Sequence, residues 1–389
     1  MNDSNRNTLL ASALNRFWSA PAAKIGTVGI MLLLIPSLFA PLLINQRPLI
    51  MIREGKLSFP FLRYIFAPES PEIFVEQFFN FSAIYLIIYL LFSLLKSRKL
   101  RKVLQVSSFI LLLLPFIFTE QKMERINYRQ MAADGEIKAL FAIIPYGPFE
   151  ISAVPFEAPS KEHIFGCDDI GRDVAARLIC GARVSLAVGI FATLCALSLG
   201  TAAGLITGYF RGKFDLVMMR LVEVLMCFPT FLLLLILMSM LSDYRFTQSI
   251  PLLIGVIGIT GWIAPALLVR GEVLKQSSLP YIQSCVVAGL PVHKILFRHL
   301  LPNILPPVLI SFTFGVAGAI LSESGLSFLG FGVQMPTASW GNLLRQAFDN
   351  PLDHWHLTVF PGLALFIAVM SFNFTGEGLR RALAPEKAE

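Results

Sequence analysis

Val184-Ser-Leu-Ala-Val-Gly-Ile-Phe-Ala-Thr-Leu-Cys-Ala-Leu-Ser-Leu-Gly200-Thr-Ala-Ala-Gly204-Leu-Ile-Thr-Gly208 contains no charged residue. At about 1.5 Å rise per residue, a helix of this length crosses the roughly 30 Å hydrocarbon core of a bilayer. Only helices and closed barrels satisfy every backbone N–H and C=O in lipid, and a barrel would show short alternating strands instead of one unbroken apolar run. Gly200, Gly204 and Gly208 recur every fourth residue. They share one helix face that is smooth enough for another helix to approach closely. Packing within the chain is the first reading of that face, and dimerisation the second.

Similar runs recur along the whole chain. Of 389 residues, 55% are hydrophobic and 15% charged, against about 25% charged in a soluble domain. Eight spans are expected, roughly 25–44, 80–95, 103–119, 184–209, 217–240, 250–270, 303–327 and 358–376. The fold class is therefore all-α, a polytopic transmembrane helical bundle. The first run begins near Lys24 with no A-x-A site after it, which reads as a retained span and not a cleaved signal. Five cysteines, Cys167, Cys180, Cys195, Cys227 and Cys285, form no C-x-x-C pair, so no metal is expected. Cys167 and Cys180 could pair if both lie outside; free or buried thiols are the plainer reading.

Charge orients the bundle. With the N-terminus inside, the inner segments hold 18 Lys/Arg against 7 Asp/Glu, and the outer ones 14 against 18. Short loops rich in Lys/Arg stay on the cytoplasmic side. Both termini are then expected to be cytoplasmic. The cluster Lys96-Ser-Arg98-Lys99-Leu-Arg101-Lys102 reads as a determinant of topology and not as a nucleic-acid site. The chain divides into an N-terminal region, 1–120, with the first span and a hairpin. An extracytoplasmic segment, 121–182, follows, and then a bundle, 183–389.

The outer segment ends in Cys167-Asp168-Asp169-Ile-Gly171-Arg172-Asp173-Val174. Asp168 or Asp169 can cap a helix start. Ile170, Val174 and Leu178 then form an apolar stripe, which predicts an amphipathic helix at the outer surface. Within the spans, Pro229 should kink the fifth, and Glu223 is expected to hold a structural hydrogen bond. Glu323 lies near the outer end of the seventh span. Two carboxylates near opposite faces do not make a proton relay. His354 and His356 read as solvated loop residues. Gly208-Tyr-Phe-Arg-Gly212-Lys213-Phe214 fails as a phosphate loop, having three residues between its glycines and Phe in place of Ser/Thr. The chain is thus expected to be no enzyme and to bind no cofactor itself.

The remaining feature is 277–303. Ser277 or Ser278 can cap a helix and Pro280 suits its first turn. Gly289 ends that helix in a left-handed cap. Pro291 opens a second short helix, and Pro302 starts the next span. Such an element is not needed to cross a membrane and reads as a docking surface.

The spacing Gln283-Ser284-Cys285-x3-Gly289-x9-His299-x-Leu301-Pro302 resembles the E-A-A-x3-G-x9-I-x-L-P coupling loop of ABC importer permeases. Gly166-Cys-Asp-Asp-Ile-Gly-Arg-Asp-Val174, Leu326-Ser-Phe-Leu-Gly-Phe-Gly332, Ser339-Trp-Gly-Asn342 and Gly376-Glu-Gly-Leu-Arg380 resemble, in order, segments of the dipeptide/oligopeptide permease family. The resemblance covers about 166–385. It implies a six-span-type permease core plus an extra N-terminal hairpin, in the cytoplasmic (inner) membrane. The implied partners are two ATP-binding cassette subunits carrying ATP and magnesium, a second permease, an extracytoplasmic binding protein, a peptide substrate and membrane lipid. Gln283, Ser284, Cys285, Gly289, Arg298, Leu301 and Pro302 would be the coupling residues. Asp168, Asp169, Gly171, Arg172 and Asp173 would form the extracytoplasmic motif. Gln-Ser-Cys departs from Glu-Ala-Ala and lacks the carboxylate. A permease for nickel or another small solute is the alternative within the family, and a gradient-driven transporter the one outside it.

Overall fold

The computed structural model describes residues 12, 14–66, 70–95, 97–118, 126–243 and 249–383. Lys96 of the basic cluster, residues 120–125 of the expected outer segment and both extreme termini lie outside the described residues. The longer helices are α1 (Pro21–Leu38), α2 (Ile73–Ser93), α3 (Arg98–Phe118), α4 (Val174–Phe210), α5 (Gly212–Met226) and α6 (Thr230–Asp243). They continue with α7 (Ile250–Thr260), α8 (Ile263–Ser277), α9 (Pro280–Val287), α10 (Val292–Leu329), α11 (Trp340–Gln346) and α12 (Trp355–Leu383).

Among the described residues, α1, α2, α4, α10 and α12 are each long and apolar enough to cross a membrane. The bent pairs α5–α6 and α7–α8 bring the number to seven. The third expected span, 103–119, falls on α3 and ends at Thr119, outside the described residues. The fifth expected span is not one kinked helix. It breaks at Cys227–Pro229 and turns by 84°, because Pro229 cannot continue the hydrogen-bond ladder of the helix before it.

The chain forms two compact units, Met1–Met31 with Leu186–Gly332 and Leu365–Glu389, and Leu32–Ser185 with Val333–Ala364. This division is by compactness, whereas the one drawn from the sequence is by sidedness. In the first unit, the glycine stripe of α4 lies against α8. A Cβ at Gly200 would come within 2.6 Å of Pro265 Cβ, one at Gly204 within 2.6 Å of the Ala266 carbonyl oxygen, and one at Gly208 within 2.8 Å of Val273 Cβ. The stripe therefore packs within the chain.

In the second unit, α2 and α3 form the extra hairpin, closed by edge-on contacts of Phe81 and Tyr85 with Phe109 at 5.1 and 5.2 Å. Glu76 of α2 pairs with Arg183 of α4, both buried. Arg183 Nε also donates to the Ser37 carbonyl at 2.6 Å. A three-stranded antiparallel sheet, ordered β2–β1–β3, joins the two outer segments: β1 is Ile50–Arg53, β2 Lys56–Ser58 and β3 Lys138–Leu140. Its β1–β2 turn places Glu54 and Gly55 at positive φ, the geometry that a two-residue hairpin requires.

Candidate functional site

The 277–303 region is built on a buried base. Leu205, Val269, Val273, Ile282, Ile295, Leu300 and Ile304 form one apolar cluster, with Cys285, Leu290 and Leu301 packed against it. Leu279 is extended and Pro280 takes the first position of α9, where a missing N–H costs nothing. The helix ends in a Schellman motif: Leu290 N donates to Cys285 O at 3.1 Å and Gly289 N to Val286 O at 3.0 Å. Gly289 has φ +73°, and a Cβ there would meet nothing within 4 Å. The glycine is thus demanded by backbone conformation and not by crowding.

Beyond Pro291 the chain does not form a separate short helix. Val292–Lys294 runs into a π-helical turn, Ile295–Leu300, and then directly into Leu301–Leu329. Pro302 explains the widened turn, since it has no N–H for the Arg298 carbonyl and its ring crowds that group. Tyr281 ties the three helix ends together. Its hydroxyl donates to Gln276 Oε1 at 2.8 Å and accepts from Asn303 Nδ2 at 2.9 Å.

The outward face is set by the same geometry. Gln283, Ser284, Gly289, Arg298 and Pro302 are exposed, Cys285 and Leu301 half-buried. Gln283 Nε2 donates to the Ser278 carbonyl at 3.2 Å, and Ser284 Oγ donates to that of Pro280 at 2.9 Å. Val286, Val287 and Phe297 are exposed by 53%, 89% and 65%. An apolar surface of this kind on a rigid base suits a protein partner. At the base, Arg270 of α8 makes a two-point ion pair with Asp215 of α5 at 2.6 and 2.7 Å. Sequence reasoning missed this pair. Its one signal was an arginine at the very end of an apolar run.

The outer motif is the opposite case, being almost wholly buried. Asp168 accepts from Arg172 Nε at 2.6 Å and from the Arg172 and Ile170 backbone N–H groups, and Arg177 Nε lies 3.1 Å from it. Arg177 also donates to the Pro148 and Pro336 carbonyls. Asp169 is half-buried, with Arg172 at 3.4 Å, and burial raises its pKa, helped by neighbouring Asp168. Gly171 sits at φ +87°. Burial, with Asp173, Glu157 and Asp168 nearby, pushes the Cys167 thiol up to about 12.

Three expectations change here. The helix cap is Asp173, whose Oδ1 accepts from Ala176 N at 2.8 Å, and not Asp168 or Asp169, which are occupied by the arginines. Among the described residues no separate amphipathic helix precedes α4, which starts at Val174 with its first turn buried and runs unbroken to Phe210. His356 is buried and His354 only partly solvated: His354 stacks on Phe156 at 3.8 Å, and His356 lies 3.0 Å from the Cys167 carbonyl through Nε2. Cys167 and Cys180 are both free and buried. Glu223 makes an exposed ion pair with Arg220, at 2.5 Å, whereas Glu323 is buried and accepts from Ser327 Oγ at 2.7 Å. Ser339-Trp-Gly-Asn342 proves to be a reciprocal capping box, with Trp340 fully buried and its Nε1 donating to the Leu178 carbonyl at 3.1 Å.

The family described as binding-protein-dependent transport system inner membrane component matches residues 200–388, which include the whole 277–303 region. A glutathione transport system permease protein of Pectobacterium atrosepticum is 37% identical over 230 residues, 59% of this chain and 75% of that protein. An oligopeptide transport system permease protein of Haemophilus influenzae is 39% identical over 232 residues, 59% of this chain and 73% of its own length. A dipeptide transport system permease protein of Bacillus subtilis is 37% identical over 229 residues, with shares of 59% and 70%. The apolar helices and these matches agree: the chain is a multi-pass membrane protein belonging to the binding-protein-dependent transport system inner membrane component family.

Proposed function

We propose that this protein is the permease subunit of an ATP-driven peptide importer in the cytoplasmic membrane, working by alternating access. The observation that carries the reading is the 280–302 surface. It presents Gln283, Ser284, Val286, Val287 and Phe297 outward, while Ile282, Ile295 and Leu300 anchor it in the bundle. A short helix held this firmly passes rigid-body motion of a docked partner into α8 and α10. In this reading Gln283, Ser284, Cys285, Gly289, Arg298, Leu301 and Pro302 couple the permease to two ATP-binding cassette subunits, which hold ATP and magnesium. The positive-inside count supports a cytoplasmic position for this loop and both termini. A second permease completes the pathway, and an extracytoplasmic binding protein delivers substrate to the outer segments. Peptide as substrate rests on the glutathione, oligopeptide and dipeptide transport systems of the relatives.

The test is to purify the tagged chain from membranes, identify the ATPase that accompanies it, and measure hydrolysis with and without peptide-loaded binding protein. Stimulated hydrolysis is expected. Gly289→Asp puts a charge on the docking face while leaving the spans untouched, so membrane insertion persists and ATPase association and import are lost. Import retained at the normal rate in that variant contradicts the docking role.

A further inference from the structure

The outer loop holds a second arrangement besides its buried arginines. One ring nitrogen of His163, the Cys167 sulfur and a carboxylate oxygen of Glu157 lie within 4.8 Å of one another. We infer that Glu157, His163 and Cys167 form a binding site for a zinc-class divalent cation.

The donor set is one that zinc takes: thiolate sulfur, imidazole nitrogen and carboxylate oxygen. A thiolate and a carboxylate together cancel the charge of a divalent cation, and a neutral imidazole adds none. The histidine ring is held by a carboxylate. Its Nδ1 is 2.8 Å from Asp173 Oδ2, with both side chains buried. With Nδ1–H donating to the carboxylate, the Nε2 lone pair is free for a metal, the arrangement typical of metal-bound histidine.

The backbone holds the three residues together. Cys167 N donates to Glu157 O at 2.8 Å, Gly166 N to His163 O at 2.9 Å, and Ser160 N to His163 O at 2.8 Å. Gly166, at φ +74°, makes this approach possible, since a Cβ there would lie 2.5 Å from Glu157 O and 3.1 Å from Pro159 N. Donors sharing a tetrahedral zinc stand about 3.3–3.8 Å apart. The half-buried Glu157 can close the remaining gap by rotating its side chain. Three protein donors leave a fourth position for water. The lack of a C-x-x-C pair does not bear on this site, because its spacing is Glu-x5-His-x3-Cys. A bound cation would fasten the 157–167 loop to the residues that cap α4.

Cobalt(II) and zinc are the probes. The full-length chain, purified in detergent and stripped with a chelator, is expected to take up one cobalt per chain and to show a thiolate-to-cobalt charge-transfer band. Cys167→Ser should abolish the band and weaken zinc binding at least tenfold, the scale of loss seen when even outer-sphere partners are removed. Glu157→Gln should weaken zinc binding to a similar extent but keep the band. Equal zinc uptake by wild type and Cys167→Ser, or a band that survives Cys167→Ser, overturns the proposal. A second measurement does not need the cysteine variant to fold: at equal zinc, the unfolding temperature of the wild type should rise more than that of Glu157→Gln. No shift in the wild type, or an equal shift in both, likewise overturns it.

Discussion

The 166–177 segment and the 280–302 segment use the same residue types to opposite ends. Both contain a left-handed glycine and both hold polar side chains. In the outer segment the polar groups are buried and paired with one another: Asp168 with Arg172 and Arg177, and Asp173 with His163. In the 280–302 segment the polar groups are turned outward and make weak local bonds to nearby carbonyls, while apolar residues anchor the base. A motif with its partners inside the chain maintains shape. One whose outward side chains, such as Gln283 and Ser284, bond to local carbonyls is available to something else. The difference lies in where hydrogen-bonding capacity is spent, and substitutions in the two segments should fail in different ways.

The largest effect is expected in the buried segment. Asp168→Ala leaves buried Arg177 without its counter-charge and Arg172 with only the longer contact to half-buried Asp169, at a cost of about 3–5 kcal/mol. Folded, membrane-extracted protein should fall sharply, as read by thermal unfolding or by the monodisperse yield in detergent. A variant that folds normally and loses only transport would blur the contrast between the segments. Next comes the helix contact on which the exposed segment rests. Gly204→Val places a Cβ about where the Ala266 carbonyl and Val269 Cβ already sit, at 2.6 and 2.7 Å. Pushing α8 off α4 should cost roughly 1–3 kcal/mol and displace the base of 280–302. The unfolding temperature should drop less than for Asp168→Ala, with ATPase coupling weakened in the protein that remains folded.

Much of this contrast was open to sequence reasoning and some was not. Hydropathy located the spans because lipid demands long apolar helices. It failed at Cys227–Pro229, where a proline made a break and not a kink. The Gly289 cap was legible because a helix-ending glycine has a local cause. The choice of Asp173 over Asp168 as the α4 cap was not, since it depends on which aspartate the distant Arg177 occupies. The Glu76–Arg183 pair is separated by 107 residues, and no local pattern announces such a contact. His356 looked solvated because loops between spans usually are; its burial comes from a neighbour at Cys167, far off in the chain.

The smallest effect sharpens the comparison most. In the proposed coupling role Gln283 takes the glutamate position of the E-A-A spacing that the loop resembles, and its Nε2 donates to the Ser278 carbonyl at 3.2 Å. Gln283→Glu removes that donor and adds a charge. If the exposed segment were held in shape by its own polar bonds, as the outer one is, the change would destabilise the loop. The base of 280–302 is apolar instead, so the fold should be indifferent, with no measurable change in unfolding temperature. The new carboxylate can accept charge-assisted bonds, roughly twice as strong as neutral ones. Association with the cassette subunit should therefore tighten by a few-fold at low salt, with the gain shrinking as ionic strength rises. Affinity measured at two salt concentrations distinguishes the cases. A loss of stability, or a gain that ignores salt, would mean that the amide at 283 maintains shape and is not a contact left for a partner.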